Sequence, residues 1–293
     1  MEKLILVAGA TGNLGLRICR ELVNKNVAVR ALVREESSQE QIATLEEMGV
    51  DVFSVNFSNE QELIGACNRV SCVVSALAGL REVIVETQAK LLNAAISAGV
   101  PRFIPSDFAS DFTQLASGEN RNFDLRKEFH LIIDQRPILA TSIFNGAFAD
   151  ILRYNIPLFN MKQQTVAYYD DKADWKIDFT TMDDTAAFTA MVALDDEAPR
   201  YLRIASFSVS PNDLVSLSEK HKGSRFQLTN MGSMEGFSEY IKQQRAANPE
   251  GENDLYPKWQ QAQYLYSMFA IPHQTLDNDR YEGLNWSPVT ANI

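Results

Sequence analysis

Leu4-Ile5-Leu6-Val7-Ala8-Gly9-Ala10-Thr11-Gly12-Asn13-Leu14-Gly15 is the stretch whose reading decides the fold. Its first five residues are apolar without alternation, the pattern of a central strand covered on both faces. Leu14, Ile18 and Leu22 then recur every four residues and predict an amphipathic helix. Between strand and helix stand Gly9, Gly12 and Gly15, spaced Gly-x-x-Gly-x-x-Gly. In such a turn one glycine permits the tight bend and another lets backbone N–H groups approach a pyrophosphate. The last lets the helix lie close on the strand. The helix N-terminus adds partial positive charge. A purely structural turn is the alternative, but the position between strand and helix favours a dinucleotide.

Working outward, Val27–Val33, Val52–Val55, Cys72–Ser75, Arg102–Ile104 and Leu139–Ile143 predict five further strands. Helices are expected over Glu82–Ala98, stopped by Gly99 and Pro101, and around Phe123–Ile133. Strands alternating with helices predict an α/β, Rossmann-type doubly wound parallel sheet. Beyond Phe144 the rhythm loosens. Thr165–Tyr169 and Trp175–Phe179 read as a hairpin, and Asp183-Asp184 opens a helix with Phe188, Met191 and Val192. Tyr201–Phe207 reads as one strand, and Ser210-Pro211 begins a helix stopped by Gly223. Gln243–Asp254 reads as a polar loop before a last helix from Lys258, with Trp259, Ala262, Tyr266 and Phe269 on one face. The domains expected are an NAD(P)-binding unit over 1–155, joined again by 183–207, and a smaller α/β substrate or lid unit over 156–293.

Composition removes other classes. The net charge of −11 argues against a nucleic-acid binder, which needs positive potential on one face. No apolar run reaches the roughly 20 residues of a membrane helix, and the N-terminus has no signal-peptide pattern. Cys19, Cys67 and Cys72 lie in apolar contexts and read as reduced core residues of a cytoplasmic protein. His130, His221 and His273 are too scattered for a metal centre, so no metal is expected.

The second strand ends in Val33-Arg34-Glu35-Glu36. Such strands present an acidic residue to a free ribose 2′-hydroxyl or an arginine to a 2′-phosphate. Arg34 comes first, and its planar fork suits phosphate, which favours NADP(H) over NAD(H). A solvated Arg34 with Glu35 on an NAD ribose is the alternative.

With the glycine turn, Arg34 and Arg102-Phe103-Ile104-Pro105-Ser106-Asp107-Phe108 in hand, the chain resembles the NmrA-like and isoflavone-reductase-like branch of the atypical short-chain dehydrogenases. The resemblance is closest over residues 1–150. It implies a Rossmann domain and a smaller C-terminal domain with the substrate between them. Its members are NADPH-dependent reductases of aromatic and quinone-like compounds, or dinucleotide-binding redox sensors. Carried over by position, it puts Gly9, Thr11, Gly12, Asn13, Leu14 and Gly15 at the pyrophosphate and Arg34 at the 2′-phosphate. Ala76, Leu77 and Ala78 would line the middle of the cofactor. Ser106 and Asn145, the latter followed by Gly146, would lie near the nicotinamide, with Asp107 and Phe108 toward the substrate. Phe108, Phe148 and Tyr154 would supply an apolar wall.

Hydride transfer calls for a proton donor. The Tyr-x-x-x-Lys spacing occurs once, Tyr168…Lys172, but inside the expected hairpin turn, and is set aside. The resemblance points instead to a lysine on the helix before the sixth strand, where Lys127 stands, opposite a buried stripe of Leu125, Phe129 and Ile132. A solvated Lys127, with His130 as the acid, is the other reading. The expected function is thus NADPH-dependent reduction of a small carbonyl, quinone or conjugated aromatic compound, or else NADP(H) sensing without turnover. The expected partner is a small molecule, with a homodimer as an option.

Overall fold

The computed structural model describes residues 3–291. Six parallel strands run β1 (Leu4–Ala8), β2 (Ala28–Arg34), β3 (Asp51–Val55), β4 (Cys72–Ser75), β5 (Arg102–Ile104) and β6 (Leu139–Ala140), in spatial order 3-2-1-4-5-6. That order reverses between β1 and β4, the place where a doubly wound sheet opens a ligand crevice. The unalternating apolar run of β1 has its reason in the two layers around it. Ile5 and Val7 pack into one buried cluster with Ile18 and Leu22 of α1 (Asn13–Asn24). Leu6 and Ala8 pack into the other with Leu91 and Leu92 of α4 (Gln88–Ser97), reached after α2 (Gln39–Glu47) and α3 (Glu60–Ala66), and with Phe129 of α5 (Arg121–Ile133).

The expected sixth strand is broken at Thr141. Leu139–Ala140 stays on β5, while β7 (Ser142–Phe144) pairs in parallel with β12 (Tyr201–Arg203). Arg102 holds the break by donating 2.7 Å to Thr141 Oγ1, and the Ser142 N–H turns to the Arg200 carbonyl at 2.8 Å. The segment bearing β12 begins with α6 (Met182–Leu194), which packs beside α1 and contributes Phe188 to the cluster under it. An Arg17–Asp183 ion pair of 2.6 Å joins the two helices.

The smaller lobe holds two three-stranded sheets. One sets β10 (Thr165–Tyr168) between β9 (Phe159–Asn160) and β14 (Gln227–Asn230). The other sets β11 (Ile177–Thr180) between β8 (Ala147–Phe148) and β13 (Phe207–Val209). Their shared core contains Phe159, Phe179, Phe226 and Phe269. This corrects the hairpin expected at Thr165–Phe179, since β10 and β11 lie in different sheets. Between them Trp175 donates 3.0 Å to the Met268 carbonyl, with the Lys172 amine over its ring, so the connection is drawn to α9 (Lys258–Ala270). Tyr201–Phe207 is likewise two strands, because the Asn278 amide takes both backbone groups of Ala205 at 3.1 and 2.8 Å. After α7 (Pro211–Lys222), a helix that sequence reading missed, α8 (Met234–Ala247), runs into the expected loop at Gln243–Asp254. Its Arg245 and Arg121 both lie over the Trp259 ring, 4.8 and 4.7 Å from the centroid.

Candidate functional site

Gly9 leaves β1 with φ +79°, a conformation that side chains disfavour. A Cβ there would lie 2.5 Å from the Ala76 carbonyl oxygen, and one on Gly15 would lie 2.2 Å from that of Gly9. Two glycines therefore let three backbone segments, the ends of β1 and β4 and the start of α1, meet in one place. Gly12 is the N-cap of α1 and offers no side chain to its first turn, so N–H groups there stay open at an exposed surface. Asn13 is exposed and accepts from Arg17, while Thr11 and Leu14 are half-buried beside it. Arg34 lies exposed at the end of β2, two residues beyond the Leu32 that pairs with Ala8. It takes part in none of the ion pairs among the described residues. The cradle that Cβ atoms would fill, the uncapped helix and the unpaired guanidinium together fit NADP(H).

Across the crevice, Ala76 donates to the Ala8 carbonyl at 2.8 Å, which sets Ala76, Leu77 and Ala78 against the glycine turn. Ser106 is tied into this rim three ways. Its hydroxyl donates 2.6 Å to the Leu77 carbonyl, its N–H donates 2.9 Å to Gln88 Oε1, and its carbonyl accepts 3.0 Å from Arg126 Nε. Gln88 reaches the loop because the helix widens into a π-helix over Glu82–Thr87 just before it. Such widenings are frequent at functional sites.

Asp107 turns the other way. Its carboxylate has no exposed surface, and Oδ2 accepts from His130 Nε2 and from Ser142 Oγ, each at 2.6 Å. Burial alone would raise its pKa. The His130 ring, the hydrogen bonds from His130 and Ser142, and the Arg126 charge outweigh it and hold the acid below the usual carboxylate range. Serine, histidine and aspartate are thus together, yet not as a nucleophilic triad: serine and histidine share one carboxylate oxygen, and Ser142 is enclosed. The cluster locks the Pro105–Asp111 loop to α5 and β7 through Oδ2, and Oδ1 is buried without a hydrogen-bond partner among the described residues.

Asn145 follows β7, fixed by its N–H to the Ala109 carbonyl at 3.0 Å and by Thr180 Oγ1 on its own carbonyl at 2.6 Å. Both polar atoms of its buried side chain lack a hydrogen-bond partner. An orphaned buried amide is costly, and a ligand or water that satisfies it would relieve that cost. Phe108 is buried in the cluster under β1, and Phe148 is half-buried against it. Tyr154 is 72 % exposed and stands outside this wall.

Lys127 sits on α5 with its amine 2.7 Å from the Leu115 carbonyl and 3.4 Å from Asp124 Oδ1. The expected buried stripe of this helix is displaced: Asn122, Phe123, Phe129, His130 and Ile133 face inward, while Leu125 and Ile132 are half-buried. Steps of four and seven from Asn122 put Arg126 on that inner face. Sequence reading missed Arg126 and Gln88 because it took polar residues for the outer face. The signal available was the asparagine cap at Asn120, from which the helix phase can be counted.

The model of the NmrA-like family matches residues 1–276. The chain belongs to the NmrA-like family. Pinoresinol reductase 1 of Arabidopsis thaliana is 28 % identical to it over 274 residues, covering 86 % of this chain and 84 % of that one. Isoeugenol synthase 1 of Petunia hybrida is 26 % identical over 244 residues, with 79 % and 74 % covered. A crystal structure of isoflavone reductase superposes with a TM-score of 0.82 at 19 % identity, covering 99 % of this chain and 98 % of that one. AtPrR2 with NADP+ and (+)pinoresinol superposes with a TM-score of 0.79 at 24 % identity, covering 99 % and 97 %. No helix of the described residues is long and apolar enough to cross a membrane, and no cluster of metal-ligating side chains occurs among them.

Proposed function

We propose that this member of the family is an NADPH-dependent reductase of a small carbonyl, quinone or conjugated aromatic compound. The observation that carries the reading is the open glycine cradle at the strand-order reversal, with Arg34 unpaired at its adenosine end. The relatives named as reductases support it. When bound, NADPH supplies the hydride. The chain's own residues then have separate tasks. Gly9, Gly12 and Gly15, with the N–H groups of Thr11, Asn13 and Leu14, receive the pyrophosphate, and Arg34 receives the 2′-phosphate. Ala76, Leu77 and Ala78 bound the crevice, with Ser106 fixing Leu77 from behind. The unpaired Asn145 amide offers a donor and an acceptor at the nicotinamide end, and Phe148 excludes water beside it.

The domain boundary falls near residue 155, with 183–207 serving the larger domain through α6 and β12. Burial pushes the thiols of Cys19, Cys67 and Cys72 up to about 12, which suits a reducing cytoplasm. A homodimer is compatible with this assignment. The test is NADPH oxidation at 340 nm with a panel of (+)-pinoresinol, 9,10-phenanthrenequinone and an aromatic enone. Turnover of one of them is the expected result. Tight NADPH binding with no turnover across the panel would overturn it in favour of a sensor.

A further inference from the structure

We propose that Arg126 is the cation that receives the oxygen of the substrate as it gains negative charge, a role resting on the reductase reading above. The two basic residues in the middle of α5 have divided their partners. Lys127 is spent on the Leu115 carbonyl and Asp124. Arg126 turns to the rim of the crevice. Its Nε donates 3.0 Å to the Ser106 carbonyl and its Nη1 donates 2.9 Å to that of Asn122.

Three features make this guanidinium more than a loop clamp. Its Nη2 has no hydrogen bond among the described residues, and no carboxylate there forms an ion pair with it. One strand of the cradle is two hydrogen bonds away, because Ser106 itself donates to Leu77 beside the glycine turn. Aromatic side chains lie one residue away: Asn122, whose carbonyl accepts from Arg126, donates 3.1 Å from its side-chain amide to the Tyr264 hydroxyl, and the Tyr256 ring stands 6.3 Å from that of Tyr264. A cation with an unused donor, one residue removed from aromatic rings and at the carboxyl ends of β4 and β5, matches a flat aromatic substrate that carries oxygen.

Guanidinium stays charged at every working pH, so it does not donate the proton. Hydride adds to the carbonyl carbon of the substrate, the C=O π-bond breaks, and its electron pair settles on oxygen. Arg126 Nη2 stabilises that oxyanion until a solvent proton neutralises it. NADPH is oxidised to NADP+ and the substrate is reduced by two electrons. Removing one such donor typically lowers kcat by about 10²–10³-fold.

The test needs no turnover. 4-Nitrophenolate, an aromatic oxyanion, and 4-nitrotoluene, its neutral counterpart, are titrated into the full-length protein with and without NADP+. Arg126→Gln keeps a donor for the Ser106 carbonyl but removes the charge, and Arg126→Lys restores the charge. The expected result is that R126Q weakens 4-nitrophenolate by about tenfold or more while 4-nitrotoluene and NADP+ affinities stay at wild-type values. R126K recovers part of the loss, and Lys127→Gln leaves the phenolate preference intact. Equal losses for both probes in R126Q, no phenolate preference in wild type, or loss of that preference in K127Q instead, would each overturn the proposal. Absence of NADP+ binding in wild type would sink the reductase reading, and the titration without NADP+ still reads the Arg126 arm.

Discussion

Gly15→Ala adds a single carbon at the point where α1 rests on the end of β1. That carbon would sit 2.2 Å from the Gly9 carbonyl oxygen, 2.8 Å from the Gly9 carbonyl carbon and 3.0 Å from Ala10 Cα. All three atoms are backbone, so no side-chain rotation relieves the clash, and the helix start must retreat by roughly 1 Å to reach an ordinary contact. Overpacking of this kind costs about 1–3 kcal/mol. Alanine returns about 0.5–1 kcal/mol by stiffening a helical position, so the net loss is at most about 2.5 kcal/mol. The fold survives. Binding is hit harder, because the same retreat takes the first-turn N–H groups from about 2.9 Å to about 3.9 Å from a phosphate oxygen, beyond hydrogen-bond range. Two charge-assisted bonds at about 1.5–3 kcal/mol each amount to about 10²–10⁴-fold in Kd. Urea unfolding and NADPH fluorescence titration measure the two effects. Gly12→Val is the companion: its φ is −79° and a Cβ there meets only the Gly9 oxygen, at 3.2 Å, so a shift of a few tenths of an ångström keeps the fold while the side chain fills the cradle. If Gly15→Ala binds NADPH within about threefold of wild type at a lowered urea midpoint, the cradle is not where the pyrophosphate sits.

Arg34→Ala should cost about 10–100-fold in NADPH affinity and leave NADH affinity unchanged, as expected for one lost charge-assisted phosphate contact. Calorimetry with both nucleotides checks it, and equal losses for the two would remove Arg34 from the 2′-phosphate. Asp107 is held below the usual carboxylate value of about 3.9 in the folded chain, so its stabilisation is complete above that value and fades as pH falls through it toward the lower folded one. Asp107→Asn should therefore lose about 1.5–3 kcal/mol near pH 7, with the gap to wild type closing below about pH 4. A gap that persists unchanged in urea unfolding at acid pH would show that the ionised carboxylate is not what the His130–Ser142 cluster requires.

The larger domain was legible because its signals are local. Strand β4 and strand β5 fall at their expected bounds, Gly99 stops its helix with a positive φ, and the Gly-x-x-Gly-x-x-Gly turn stands between strand and helix as read. The smaller lobe was not, because its strands are two to four residues long and all but β9 pair with a distant segment. Thr165–Tyr168 and Ile177–Thr180 have the composition of a hairpin, but only the competition for partners far along the chain sends one to β14 and the other to β13.

By itself the sequence determined the parallel sheet, the glycine cradle and Arg34 at the end of β2, since the alternation of strands with helices and the spacing within β1, its turn, α1 and β2 are local features. Tertiary structure alone decided which side chains reach the rim of the crevice. Asp107 was expected to face the substrate and has its Oδ2 enclosed by His130 and Ser142, and Lys127 is bound to Leu115 while its neighbour reaches Ser106. The physical reason is the phase of α5. A rotation of one residue, about 100° around the helix, exchanges the crevice for the far side, and that phase is set by Asn122, Phe123 and His130 packing inward against elements far away in the chain.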